Sequence, residues 1–143
     1  MRASPSSRQE IRVLLAETNS IHAELLARAI ARDRHLHVVY STSEASEIAK
    51  QVAQLQPDVV ILSASLEGNP EGGFEVLDEL RGIAPELKLI VLLERSVPDK
   101  VVRAFRAGAR GVFSRTSPVK ELSKCIRVVH GKIASGYPHP MFA

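Results

Sequence analysis

Five short apolar runs recur along this chain, at residues 11–16, 36–40, 59–62, 88–93 and 111–114. The central one, Val59, Val60, Ile61 and Leu62, is unbroken and rich in β-branched residues. None shows the apolar–polar alternation of a strand with one wet face. Such runs read as strands covered on both sides, as in parallel sheets flanked by helices. Between them lie segments with apolar residues at helical spacing, so strand and helix alternate five times. That pattern implies one parallel sheet with right-handed crossovers. The economical arrangement is a flavodoxin-like, doubly wound (βα)5 α/β domain with strand order 2-1-3-4-5. Its crevice lies at the carboxyl ends of strands 1 and 3.

The helices follow from spacing and end signals. After the first strand, Glu17, Thr18, Asn19 and Ser20 suit a turn and a cap. Ile21, Leu25, Leu26, Ala29 and Ile30 are then the apolar positions of a helix reaching about Arg32. Ser41 to Ser43 are expected to cap the second helix, with Glu44 three residues after Ser41 as in a capping box. That helix turns Ile48, Val52 and Leu55 inward, and Pro57 ends it. The loop LEGNPEGG leads to a third helix over roughly 73–83, carrying Phe74, Leu77 and Leu80. Ser96 and Pro98 open a fourth, which is expected to bury Val101, Val102 and Phe105, with Gly108 as its C-terminal cap. Ser117 as cap and Pro118 at the first helical position open the last. It places Leu122, Cys125, Ile126 and Val129 on one face. Residues 1–10 read as a disordered lead-in, 11–131 as the domain, and 132–143 as a linker or tail.

The chain has 143 residues, enough for one domain with a proper core. A net charge of +3 is too mild to announce a nucleic-acid binder on its own. The single cysteine, Cys125, excludes an internal disulfide and reads as a small core residue. No run approaches the roughly 18 apolar residues of a membrane span, and the start lacks a signal-peptide core. A cytoplasmic, non-enzymatic protein without a membrane role is the expectation. His22, alone on the first helix, and His35, His37, His130 and His139 show no ligand spacing, and none is placed at the crevice.

The stretches RVLLA, PDVVIL, FEVLDELR, VVRAFRAGARGVF and SPVKELSKCIRVVHG carry a resemblance. From residue 11 to about 131 the chain resembles the receiver domain of response regulators of the LuxR/NarL type. AGARG followed by SP and an apolar helix is the most specific piece. The resemblance implies a two-component phosphorelay role in transcription regulation. In such domains an aspartate takes a phosphoryl group from a histidine kinase, with Mg²⁺, and changes the state of a DNA-binding output domain.

Carried over residue by residue, that chemistry meets different side chains. The acidic pair falls on Glu17 and Thr18, and the phospho-acceptor on Ser63. The switch threonine falls on Leu93, the switch aromatic on Val112, and the phosphate-holding lysine on Arg115. The loop after strand three is two residues longer than usual, with Glu67 near a position usually held by proline. An alcohol is a poor nucleophile without a positioned base. Mg²⁺ wants hard oxygen ligands in octahedral geometry, and here they reduce to Glu17 and the Ser65 carbonyl. Asp58 cannot substitute, since it lies about 17 Å from Ser63 at ~3.3 Å per residue. The resemblance thus points to a degenerate pseudo-receiver with no metal site beyond Glu17 as a weak candidate. Glu17, Glu67 and Glu94 read as solvated loop acids rather than a rebuilt metal site, and Arg115 is placed to pair with Glu17.

Lys100, Arg103, Arg106 and Arg110 form a basic stripe, extended by Lys120, Lys124 and Arg127 on the last helix. These are candidates for docking a protein partner or a second copy, through helix 4–strand 5–helix 5 or helices 1 and 5. No helix-turn-helix fits in the tail, so a DNA-binding output domain would lie outside this chain. Two alternatives stand beside this reading. One is a phosphate-accepting receiver using Ser63 or another residue. The other is a flavodoxin-like electron carrier, disfavoured by a glycine-free 17–20 loop and only 4% aromatic residues.

Overall fold

The computed structural model describes residues 10–131 and 141–142. Strands β1 (Ile11–Ala16), β2 (Leu36–Thr42), β3 (Val59–Ser63), β4 (Lys88–Leu93) and β5 (Gly111–Ser114) alternate with five α-helices. These are α1 (Ser20–Ala31), α2 (Ala45–Leu55), α3 (Gly72–Ile83), α4 (Pro98–Ala107) and α5 (Leu122–His130). The strand order is β2-β1-β3-β4-β5, all parallel. This is the expected flavodoxin-like sheet, doubly wound with helices on both faces.

The unbroken runs become strands because both faces of the sheet are covered. Leu14, Val60, Leu62, Val91 and Val112 pack with α2 and α3 residues such as Ile48, Val52, Leu77 and Leu80. Val13, Ile61, Ile90 and Phe113 pack on the other face with Leu26, Ile30, Cys125 and Ile126. Burial pushes the Cys125 thiol up to about 12, as suits a small core side chain.

Several local expectations need correction. β2 runs two residues further than the apolar run, to Thr42, so the capping box at Ser41 does not form. α2 starts at Ala45, and the Glu67 carboxylate, from another loop, accepts its first N–H at 3.0 Å. Ser117 makes no cap either: its buried hydroxyl has no partner, and Val119–Glu121 form a 3₁₀ turn before α5. Ile21 and Leu25 lie on the outer face of α1, 73% and 52% exposed. Val102 is 47% exposed, and Ala104 is the buried residue of α4. Gly108 does end α4, at φ +118°, a conformation that favours glycine.

Of the residues assigned to the lead-in and tail, 1–9, 132–140 and 143 lie outside the described residues, His139 among them. Met141–Phe142 form a short strand, β6, parallel to β5, rather than a plain linker.

Gly73 sets the distance between α3 and the end of β3. A Cβ there would sit 2.0 Å from the Ser63 carbonyl oxygen. Only hydrogen lets the start of α3 lie flush against this strand exit.

Candidate functional site

Parallel pairing brings the ends of β1, β3, β4 and β5 together at one rim of the sheet. Ala16 lies beside Leu62, Ser63 beside Leu92, and Leu93 beside Ser114. The residues just past those ends therefore meet: Glu17 and Thr18, Ser63 and Ser65, Glu94, and Arg115.

Glu17 is the centre of the arrangement and is only 2% exposed. A carboxylate that deep needs a partner. Its Oε2 accepts from the Arg115 Nη2 at 2.6 Å and from the Asn19 backbone N–H at 2.9 Å. The Arg115 Nε also lies 3.3 Å from the exposed Glu94 carboxylate. The pairing expected of Arg115 is thus made, with Glu94 as a second acid. The guanidinium fork lets one cation reach both carboxylates.

The other side chains at the rim are engaged with each other. The Ser63 hydroxyl donates to the Ser65 carbonyl at 2.9 Å. The Thr18 hydroxyl accepts from the Glu67 N–H at 2.8 Å. Glu67, an exposed loop acid at φ +53°, also caps α2 with its carboxylate. Leu93 and Val112 are buried within the sheet and its packing.

One correction concerns histidine. His22 lies in the first turn of α1, and its Nδ1 stands 3.6 Å from the Glu17 Oε1. It was not isolated after all. The available signal was Asn19, which caps α1 by accepting the His22 N–H at 2.8 Å. A side chain three residues past such a cap sits at the exit of the preceding strand.

The Mg²⁺ implied by the resemblance does not fit this donor set. It requires several hard oxygens around one octahedron. Here a guanidinium already occupies Glu17 Oε2, the Ser65 carbonyl accepts the Ser63 hydroxyl, and the Thr18 hydroxyl is taken by Glu67. Among the described residues, no group of three acidic, histidine or cysteine side chains could hold an ion.

The basic residues divide into two sets. Arg103 pairs with Glu71 and stacks 4.0 Å above the Phe74 ring, tying α4 to the start of α3. Arg127 grips Asp33 through two hydrogen bonds of 2.6 and 2.7 Å. Those bonds hold the Asp33 carboxyl below its usual range. Lys100, Arg106, Arg110, Lys120 and Lys124 are exposed. A cleft of about 600 Å³ opens at the opposite, amino end of the sheet, lined by Val52, Pro57, Ile83 and Leu87 among others, away from this chemistry.

Comparison with known proteins fits this geometry. A family profile described as the response regulator receiver domain matches residues 13–127. The chain is 29% identical over 117 residues to the transcriptional regulatory protein LiaR of Bacillus subtilis, covering 82% of this chain and 54% of that one. It is 27% identical over 119 residues to the response regulator GacA of Pseudomonas viridiflava, covering 83% and 55%. The chain spans about half the length of the curated relatives it matches. Among solved structures, a LuxR-family two-component response regulator from Aurantimonas sp. SI85-9A1 superposes with a TM-score of 0.80. It shares 24% identity, over 89% of this chain and 91% of that one. The isolated receiver domain of RcsB from Salmonella enterica serovar Typhimurium gives 0.78 at 17% identity, over 92% and 93%. Likeness at those identities speaks for the fold, and the profile match for the family. No described helix is long and apolar enough to cross a membrane. A parallel sheet in the order 2-1-3-4-5, a rim built from the ends of β1, β3, β4 and β5, and a profile match over most of the chain lead to one assignment: this chain belongs to the response regulator receiver domains.

Proposed function

We propose that this receiver domain is a pseudo-receiver, acting in transcription control through protein–protein contacts without aspartate phosphorylation. The observation that carries the reading is the ion pair between Glu17 and Arg115. A resident cation neutralises the buried acid where the family would seat a metal ion. Ser63 supports it, since its hydroxyl is spent on a neighbouring carbonyl and no base is in reach among its hydrogen-bond partners. The test is incubation with acetyl phosphate and Mg²⁺, then intact-mass measurement. An unchanged mass is expected; a stable added phosphate would overturn the reading in favour of a receiver using a non-standard residue.

Two faces suit the partner. α4 exposes Val102, with Val97 just before it, beside Lys100, Arg106 and Arg110, a mixed apolar and basic surface. α1 exposes Ile21 and Leu25 next to the Glu24–Arg28 ion pair. Exposed apolar side chains grouped on a helix face suit a contact rather than solvent. A DNA-binding output, of the kind named for one half-matched relative, a DNA-binding transcriptional activator, would be carried outside these residues. Size measurement of Val102→Asp and Leu25→Asp variants tells the faces apart: the variant that loses an assembly marks the face in use.

A further inference from the structure

The amino end of the sheet is built unlike the rim. Strands β3 and β4 begin there, just after Pro57 and Pro85, and α2 and α3 run out beside them. Between these segments opens the cleft of about 600 Å³. Small-molecule sites span about 300–1,000 Å³ and combine apolar walls with a few polar groups. We propose that this cleft binds a small organic cation, a primary ammonium carried on a short apolar body. The inference stands apart from the rim and does not depend on whether the domain takes phosphate.

The walls supply the apolar half of such a site. Val52 and Pro57 contribute from the α2 side, and Ile83 and Leu87 from the α3 side. Val52 is buried, whereas Ile83, the last residue of α3, is 55% exposed. A branched aliphatic side chain left in water at the mouth of a cleft gains by being covered.

The charges set the sign of the ligand. Asp58 and Glu86 both line the cleft. The Asp58 carboxylate is fixed, its Oδ2 accepting the Arg12 backbone N–H at 2.8 Å. Glu86 is exposed and makes no ion pair among the described residues. The Arg12 guanidinium is turned to the Leu55 and Gln56 carbonyl oxygens, at 2.6 and 3.0 Å, where α2 ends. Lys88 shares the Ile90 side of β4, so its side chain belongs to the α5 face, where its charge bears on His130. Two acids against Arg12 leave a net −1 on the cleft side. α3 adds the negative pole of its dipole, since its carboxyl end lies here. A cation is therefore favoured. No group of three acidic, histidine or cysteine side chains among the described residues could hold a metal ion, so the cation is an organic one, held also by its apolar body.

The test titrates the full chain with hexylammonium chloride, and separately with hexan-1-ol and sodium hexanoate. Isoleucine methyl and backbone amide NMR signals report binding. Hexylammonium is expected to shift the Ile83 methyl and the amides of residues 84–88 saturably. Hexan-1-ol should bind roughly fivefold more weakly, the worth of a partly exposed charge pair, and hexanoate more weakly still. Glu86→Gln should weaken hexylammonium about threefold and leave hexan-1-ol unchanged, and Glu86→Lys should erase the preference for the cation; Glu86 is exposed and outside helix and strand, so both variants keep the fold. Equal affinity for the amine and the alcohol would overturn the proposal, and so would a preference for hexanoate. Hexylammonium shifts confined to Glu17 and Arg115 at the rim would overturn it too. Nα-acetyl-lysine amide carries the same ammonium as a protein side chain would and should bind more weakly, because its amides meet apolar walls. Tighter binding than hexylammonium would assign the cleft to a protein partner and overturn the proposal.

Discussion

Replacing Arg115 by Met tests whether a fixed cation holds the rim together. Methionine keeps most of the aliphatic volume and removes the charge. Glu17 would remain wholly buried, with the Asn19 N–H still donating to Oε2 but no countercharge. Breaking a buried ion pair from one side costs about 3–5 kcal/mol. Arg115 is itself 20% exposed, and one hydrogen bond to Glu17 survives, so the lower end applies, about 3 kcal/mol. For a domain of this size that is a fall in melting temperature of roughly 12 °C, at about 4 °C per kcal/mol. Removing the buried charge as well, in Glu17→Gln/Arg115→Met, should recover most of the loss, because the penalty lies in the stranded carboxylate. Urea unfolding of the wild type, both single variants and the double variant, followed by circular dichroism at neutral pH, gives the coupling directly. A loss below about 0.5 kcal/mol in Arg115→Met, the worth of an ordinary surface pair, would refute the reasoning.

Other changes probe what positions the rim. Gly73→Ala should cost at least about 3 kcal/mol by forcing α3 off the end of β3, whereas Gly82→Ala, with open space around its added methyl, should stabilise α3 by about 0.5 kcal/mol. Thermal melts that rank the two alike would contradict the packing. Glu67→Ala should lose about 1 kcal/mol with the cap on α2, while Glu67→Gln keeps an acceptor and most of the stability; equal losses in chemical denaturation would argue against a capping role. Burial, and then the Lys88 charge, push His130 below its ordinary value, with Asp58 working the other way. The folded state therefore prefers neutral His130. Its contribution is complete above about pH 6.5 and is lost as pH falls through the lower folded-state value. Urea midpoints at several pH values should show a shallower acid-side decline in His130→Gln, and parallel declines would refute it.

β1, β3, β4 and β5 were legible because each is covered on both faces, which erases alternation and leaves only apolar runs, whereas the edge strand β2 is largely half-buried. Leu122, Cys125, Ile126 and Val129 were equally plain, since α5 meets the sheet with a single stripe. Where a helix carries more apolar residues than it can bury, spacing does not say which face turns in. Ile21, Leu25 and Val102 were misplaced for that reason. The cap expected at Ser41 was missed for a different reason. β2 gains two residues by pairing with β1, consuming Ser41 and Thr42, and the replacement cap comes from Glu67, far along the chain. At the rim, strand exits could be read from the topology, and so could the meeting of Glu17 with Arg115. His22 was overlooked because a helical residue was judged by its own segment rather than by the strand end that its first turn covers.

The pairing of Met141–Phe142 with β5 bears on how the domain should be handled. A fragment cut after Gly131 would leave the outer backbone row of β5 bare, with Val112 and Phe113 offering unpaired amide and carbonyl groups to any extended chain nearby. Such a fragment would gain a sticky margin that the longer chain does not present. Self-association seen only in the shortened form would then report the cut rather than the biology.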